Sequence, residues 1–389
     1  MALDSGKKLK ASIITREWPP EIYGGAGVHV TNLVAAIKSS AEVEIDVRCF
    51  GSERTDAISY QLSEDFAEIN TALKTLLINL DIAKDLKDSS LVHSHTWYAN
   101  FAGLIAGNSF QIPHVITSHS LEPLRPWKAN QLGGGYKISS WVERLAYSQA
   151  ERIIAVSDAV RSDILNYYPE IHADKIVTIR NGIDYHKYSP SRSTSTLNKY
   201  SINFPFAIFV GRITKQKGLI HLLRAWRNVP SDYGLVIAAT SADDQDIFDE
   251  VSKTISGLQQ DRDNVLWIRD MLHQEELIEL LSNAVTFVCP SIYEPLGIVN
   301  LEAMACETAV VASKVGGIPE VVIDHETGLL VPLEGDFDKF EIDLANSLVK
   351  VLSDKNLAKY LGSNGRARVV NEFGWDMVAT KTINLYRSI

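Results

Sequence analysis

Short apolar runs alternate with segments of helical period along nearly the whole chain, and this rhythm leaves few folds open. In the first half the runs are residues 11–15, 43–49, 90–93, 114–117, 153–156 and 176–179. In the second they are residues 206–210, 235–239, 265–268, 285–289 and 309–312. Runs this short, apolar without alternation, fit strands covered on both faces. Between them Val30, Leu33, Val34 and Ile37 recur at i, i+3, i+4 and i+7, as do Leu219, Leu222, Leu223 and Trp226. Strands alternating with helices predict parallel sheets layered with helices. The rhythm occurs twice, and the fold class expected is α/β, with two Rossmann-like domains facing across a cleft. A polar stretch rich in Ser and Thr, residues 189–203, separates the halves as a linker would. The expected domains are 1–188, 204–370 and a C-terminal helix, 371–389.

Open parallel sheets bind ligands at the carboxyl ends of their strands, so residues just after the apolar runs are the informative ones. Gly24, Gly25 and Gly27 follow the first run and precede a helical segment. Backbone N–H groups at such a turn can meet an anion, assisted by the helix dipole, and a tight turn explains the glycines equally well. The second half repeats the arrangement in Gly211-Arg-Ile-Thr-Lys-Gln-Lys-Gly218. Arg212 offers a forked grip on phosphate and Lys217 a point charge, a pair suited to a diphosphate. In Glu294-Pro-Leu-Gly-Ile-Val-Asn-Leu-Glu302 the second carboxylate falls inside an apolar helical pattern. An ionised carboxylate there needs a partner, and ribose hydroxyls are suitable donors. His119 ends the run 114–117, and His93, His95 and Trp97 end the one before it.

Charge narrows the ligands further. Lys and Arg number 38 against 48 Asp and Glu, a formal net charge of -10. This argues against a nucleic-acid partner and makes local basic pairs informative. The three cysteines, Cys49, Cys289 and Cys306, show no paired spacing, and a reducing compartment is expected. No run reaches membrane-spanning length and the start lacks a signal-peptide core, so a cytoplasmic location and no membrane partner are expected. Asp244 and Asp246 form an Asp-x-Asp that could hold a metal on a diphosphate, but they open a helical pattern, where acidic capping is ordinary. A His-x-His pair without further ligands is a weak metal signal, so no metal and no cofactor are expected.

Together the Glu294/Glu302 pair, the Arg212/Lys217 turn and the early glycine loop resemble the retaining glycosyltransferases of the GT-B fold, in the family-4 group that contains glycogen synthases. The resemblance spans nearly the whole chain. It implies that Glu294 holds donor-sugar hydroxyls and Glu302 the ribose, with Leu296, Gly297 and Ile298 between them also at the donor. It implies further that Arg212 and Lys217 hold the diphosphate, with Gly24 and Gly25 nearby. His119 is implied to orient the sugar, and the last helix to cross back to the first domain. The segments 16–27 and 118–128 are similar to the short bacterial type also described as α-maltose-1-phosphate synthases, which implies ADP-glucose as donor. Larger bacterial glycogen synthases carry Lys-x-Gly-Gly at the donor loop, whereas Glu21 and Ile22 precede Tyr23-Gly-Gly here.

The acceptor is expected on the first domain, at His95, Trp97, Arg125, Lys128 and Tyr136, with Trp127 able to stack on a sugar ring. Arg125 and Lys128 suit an acceptor bearing phosphate, such as glucose 1-phosphate, more than a neutral α-glucan. Arg212, Lys217, Glu294 and His119 are the expected catalytic set, acting by front-face transfer. A different nucleotide-sugar transferase, or a GT-B-like epimerase that needs no acceptor, would use the same donor residues.

Overall fold

The computed structural model describes residues 9–66, 68–126, 128–129, 133–240, 242 and 245–389. It divides into two compact units, one ending at Gly182 and resuming at Trp375–Ile389, the other spanning Ile183–Gly374. The first unit holds β1 (Lys10–Thr15), β2 (Glu44–Phe50), β3 (Ile58–Tyr60), β4 (Leu91–His95), β5 (His114–Ser118), β6 (Arg152–Ala155) and β7 (Ile176–Thr178). They form one sheet in the order β3-β2-β1-β4-β5-β6-β7, every neighbour parallel. The order reverses between β1 and β4, and at that switch point loops part and leave room for a ligand.

Helix Gly25–Ser40 buries the stripe read from its sequence, Val30, Leu33, Val34 and Ile37. The final helix Trp375–Arg387 covers it with Val378, Ala379, Ile383 and Tyr386, and both helices share one core with β1 and β2. The Tyr386 hydroxyl reaches His93 Nδ1 on β4 at 2.6 Å. The chain's last helix is therefore part of the first unit's core.

In the second unit β8 (Phe206–Val210), β9 (Gly234–Ala238), β10 (Val265–Ile268), β11 (Thr286–Cys289), β12 (Ala309–Ser313) and β13 (Gly328–Val331) form a sheet in the order β10-β9-β8-β11-β12-β13. All its pairings are parallel, and the order reverses between β8 and β11. Leu219, Leu222, Leu223 and Trp226 pack against Phe209, Ile237 and Leu344 in its core. The strands not anticipated from sequence, β3 and β13, lie at sheet edges; β3 has only three residues and is part-exposed.

The polar stretch read as a linker is packed onto the second unit instead. Ser195–Lys199 forms a short helix. Ser195 Oγ donates to Glu279 Oε2 at 2.9 Å, and the Ser191 N–H donates to Ser282 Oγ at 3.0 Å. Thr196 of the stretch is buried, and its N–H and that of Leu197 donate to Glu279 Oε1. Among the described residues no helix is long and apolar enough to cross a membrane.

Because Ile383 is fully buried between the terminal helix and helix Gly25–Ser40, Ile383→Ala is expected to destabilise the first unit by about 2–5 kcal/mol. Hydrogen exchange should then speed up in both helices while the second unit keeps its protection. Uniform change across both units would contradict this division of the core.

Candidate active site

In the second unit the basic turn after β8 meets the loop after β11. Lys217 Nζ pairs with Glu294 Oε2 at 2.7 Å, and Ser291 Oγ donates to the same oxygen at 3.1 Å. Two glycines permit this approach. At Gly218 (φ 64) a Cβ would collide with the Pro290 carbonyl, and at Gly316 (φ 51) with the carbonyl of Glu294. Burial opposes the Lys217 charge, but the Glu294 carboxylate outweighs it and the ammonium titrates above its usual range. Arg212 lies exposed on the same turn, and Leu296 is buried beside Gly297 (φ 94), the residue that precedes helix Ile298–Ala305. Glu302 projects from that helix. Burial raises its pKa to about 7, against the Tyr188 hydroxyl, its hydrogen-bond partner, and the Lys217 charge. No ion pair holds Glu302 among the described residues, which leaves its carboxylate available to a ligand.

In the first unit four imidazoles gather at the carboxyl ends of β4 and β5. His95 Nδ1 lies 3.0 Å from His119 Nε2, and His29, from helix Gly25–Ser40, joins them with its Nδ1 2.8 Å from Asn181 Oδ1. Burial lowers His29 to about 4 and, with help from neighbouring imidazoles, holds His93, His95 and His119 well below their usual range. All four are neutral at pH 7, so His119 acts there as a hydrogen-bonding group and not as a cation.

Ligand atoms of His29, His95 and His119 lie within 4.8 Å of one another, a spacing a metal ion could bridge. Yet the buried atoms lacking partners around them include Trp97 Nε1, Thr96 Oγ1 and Ser118 Oγ as well as His29 Nε2 and His95 Nε2. An indole N–H only donates, and a cation cannot satisfy it. Hydroxyl groups, which both donate and accept, match donors and acceptors of this kind together.

The loop after β5 is organised by a buried carboxylate. Glu122 Oε1 accepts from Lys128 Nζ at 2.6 Å and its Oε2 from Ser139 Oγ at 2.7 Å. Glu143 accepts the Glu122 N–H at 2.9 Å and the Tyr168 hydroxyl at 2.6 Å, and burial together with the Glu122 charge raises Glu143 to about 8. The Tyr136 hydroxyl donates to the Glu122 carbonyl at 2.7 Å. Lys128, expected at the acceptor, is thus turned into the protein, because an unpaired Glu122 could not stay buried; Tyr136, expected there too, is half-buried with its hydroxyl on the Glu122 carbonyl. Trp97, expected there too, is buried against Tyr98 at 4.3 Å between centroids. Arg125 remains half-buried near the surface, with one bond from Nη1 to Ser120 Oγ at 3.1 Å. Trp127 lies outside the described residues.

The glycine loop also differs from its expectation. The N–H groups of Tyr23 and Gly24 donate to Glu17 Oε2 at 2.8 and 2.9 Å, so a carboxylate of the chain itself takes the anion position before helix Gly25–Ser40. Asp246 sits exposed in the first turn of helix Gln245–Asp261, and Asp244 lies outside the described residues.

Residues 23–187 match the family model "Glycosyltransferase Family 4" and residues 198–368 the model "Glycosyl transferases group 1". The chain is 47% identical to the α-maltose-1-phosphate synthase of Mycobacterium tuberculosis, over 98% of this chain and 100% of the other. It is 46% identical to that of Mycolicibacterium smegmatis over the same shares. Sucrose-phosphate synthase from Thermosynechococcus elongatus superposes with a TM-score of 0.77 at 25% identity, over 98% of both chains. The chain belongs to the family-4 glycosyltransferases of the GT-B fold.

Sequence reading did not single out several residues that the structure places at or beside the imidazole cluster. His29 lay hidden inside a helical stripe, and Asn181 sat beyond the last run of the first half. Thr96 has φ 65 and ψ 161, a region almost reserved for glycine, which only coordinates reveal.

Lys128→Ala should strip Glu122 of its buried countercharge and lower stability by about 3–5 kcal/mol. Arg125→Ala should melt with the wild type. Equal melting of the two variants would show that Glu122 does not need Lys128.

Proposed function

We propose that this glycosyltransferase moves glucose from ADP-glucose to glucose 1-phosphate with retention, forming α-maltose 1-phosphate, and that it extends α-1,4-glucan less efficiently. The observation that carries the reading is the near-complete alignment, at 47% identity, with an enzyme named for that product. The donor belongs to the second unit: Glu302 receives the ribose hydroxyls, Arg212 and Lys217 the diphosphate, and Glu294 the sugar hydroxyls. The Lys217–Glu294 pair keeps both groups charged and in place before the donor arrives. Neutral His119 hydrogen-bonds the sugar, and the unpaired hydroxyl and ring groups around it suit a polyol.

Two-carboxylate glycosidase chemistry needs a free nucleophile and a free acid flanking the sugar. Glu294 is tied to Lys217 and Ser291, and Glu302 to the ribose. Retention then arises by front-face attack. The bond from glucose C1 to the β-phosphate oxygen breaks while the acceptor 4-hydroxyl oxygen bonds C1 on the same face. The acceptor proton passes to the departing phosphate oxygen, and ADP leaves with its growing charge met by Arg212 and Lys217. Thorough chelation should therefore leave the rate unchanged.

Product analysis and steady-state kinetics with ADP-glucose and each acceptor test the reading. The expected outcome is a higher kcat/KM for glucose 1-phosphate, lowered about tenfold or more by Arg125→Ala through loss of a charge-assisted hydrogen bond. Glucan extension as fast as disaccharide-phosphate formation, and indifferent to Arg125→Ala, would overturn it.

Glu302 gives the reading a pH dependence. Ribose hydroxyls donate to the ionised carboxylate, and below a pKa of about 7 a proton must first leave it. Affinity for ADP-glucose, whose diphosphate does not titrate near neutrality, should rise as pH rises through 7 and then level off. Glu302→Gln should flatten that profile. A slope identical to wild type would remove Glu302 from the nucleotide site.

A further inference from the structure

Two cations stand near one ring in the first unit with a third beside them, and among the described residues a carboxylate pairs with only one of the three. Arg16 follows β1, and its guanidinium carbon lies 4.2 Å from the centre of the Tyr98 ring. Lys128 Nζ lies 5.8 Å from the same ring, and Arg125 is near enough to Lys128 to disfavour its charge. Lys128 is satisfied by Glu122. Glu143, raised to about 8, is mostly protonated at neutral pH and offers little countercharge. Glu17, next to Arg16 in sequence, is spent on the Tyr23 and Gly24 N–H groups.

What remains are two guanidinium groups without a carboxylate. Among the described residues Arg16 is half-buried and makes neither an ion pair nor a hydrogen bond; its place over the Tyr98 ring uses none of its five N–H donors. Arg125 bonds Ser120 through Nη1, and its Nε is buried without a partner. In a protein of net charge -10, two such groups left unpaired call for an anion. Their position narrows its class. Arg16 follows β1, Tyr98 follows β4, and Arg125 lies in the loop that begins at His119 after β5, so the anion shares the strand-end edge with the sugar-binding imidazoles. A guanidinium presents paired donors that match two oxygens of a phosphate.

We propose that Arg16, held on the face of Tyr98 and assisted by Arg125, is the principal contact for the phosphate group of a sugar-phosphate acceptor. This rests on the acceptor reading above and adds the residue that selects it. Lys128 sets the loop's shape through Glu122 and leaves the phosphate to the two arginines.

The test compares wild type, Arg16→Gln and Arg16→Lys in steady-state transfer from ADP-glucose to glucose 1-phosphate and to a maltooligosaccharide, with thermal melts of each. Arg16→Gln should melt as wild type and raise the KM for glucose 1-phosphate about tenfold or more, the loss expected of one charge-assisted pair. The KM for ADP-glucose should not move, and Arg16→Lys should recover part of the loss, because it restores charge without the fork. An unchanged KM for glucose 1-phosphate in Arg16→Gln, or equal losses with both acceptors, would overturn the assignment. Wild type that makes no maltose 1-phosphate would instead overturn the acceptor reading itself.

Discussion

Parallel pairing throughout both sheets is the constraint on which the rest depends. In a parallel sheet every strand ends on the same edge, so residues distant in sequence are delivered together without any long loop. Arg16, His95 and His119 follow β1, β4 and β5, and Lys217 and Glu294 follow β8 and β11. The strand order reverses between β1 and β4 in the first unit and between β8 and β11 in the second. The helices supply cover through apolar stripes and add His29 and Glu302 at their own starts and faces. The terminal helix contributes to the first unit's core as if it had never left it.

Within that frame the allocation of charge decides what each site can bind. Carboxylates of the chain already occupy two positions that would otherwise attract an anion: Glu17 at the glycine turn and Glu122 against Lys128. The second is desolvated and cannot be lost cheaply; the first lies at a part-exposed helix start, where an anion is worth only about 0.3–1 kcal/mol. Lys217 and Glu294 satisfy each other at 2.7 Å without surrendering charge, a preset dipole at the end of the second sheet.

The sequence made the strand rhythm, the basic turn after β8 and the Glu294–Glu302 spacing legible because each is a local pattern. The edge strand β3 escaped because it has only three residues and no buried apolar run, whereas β13 escaped although it is apolar, because four residues are too few to stand out. Lys128 misled for a different reason. A lysine in a loop reads as a surface cation, and only the tertiary position of Glu122, six residues earlier and buried by Ser139 and Glu143, turns it inward. His29 shows the converse: lying four residues before Leu33 it resembles core filling, and its place beside His95 and His119 follows from where β4 and β5 end.

Thr96 ties strain to chemistry. At φ 65 and ψ 161 a β-branched residue is held where few side chains can sit, at a cost of about 1–3 kcal/mol. Its hydroxyl gains no cap bond in return and is buried without a partner, beside His95 and Trp97, whose Nε2 and Nε1 are also unsatisfied. A chain selected for stability alone would place glycine there and satisfy the neighbours. Strained backbone and unpaired polar atoms coincide at one strand end, the edge at which open parallel sheets bind ligands, and folding has left hydrogen bonds unmade there.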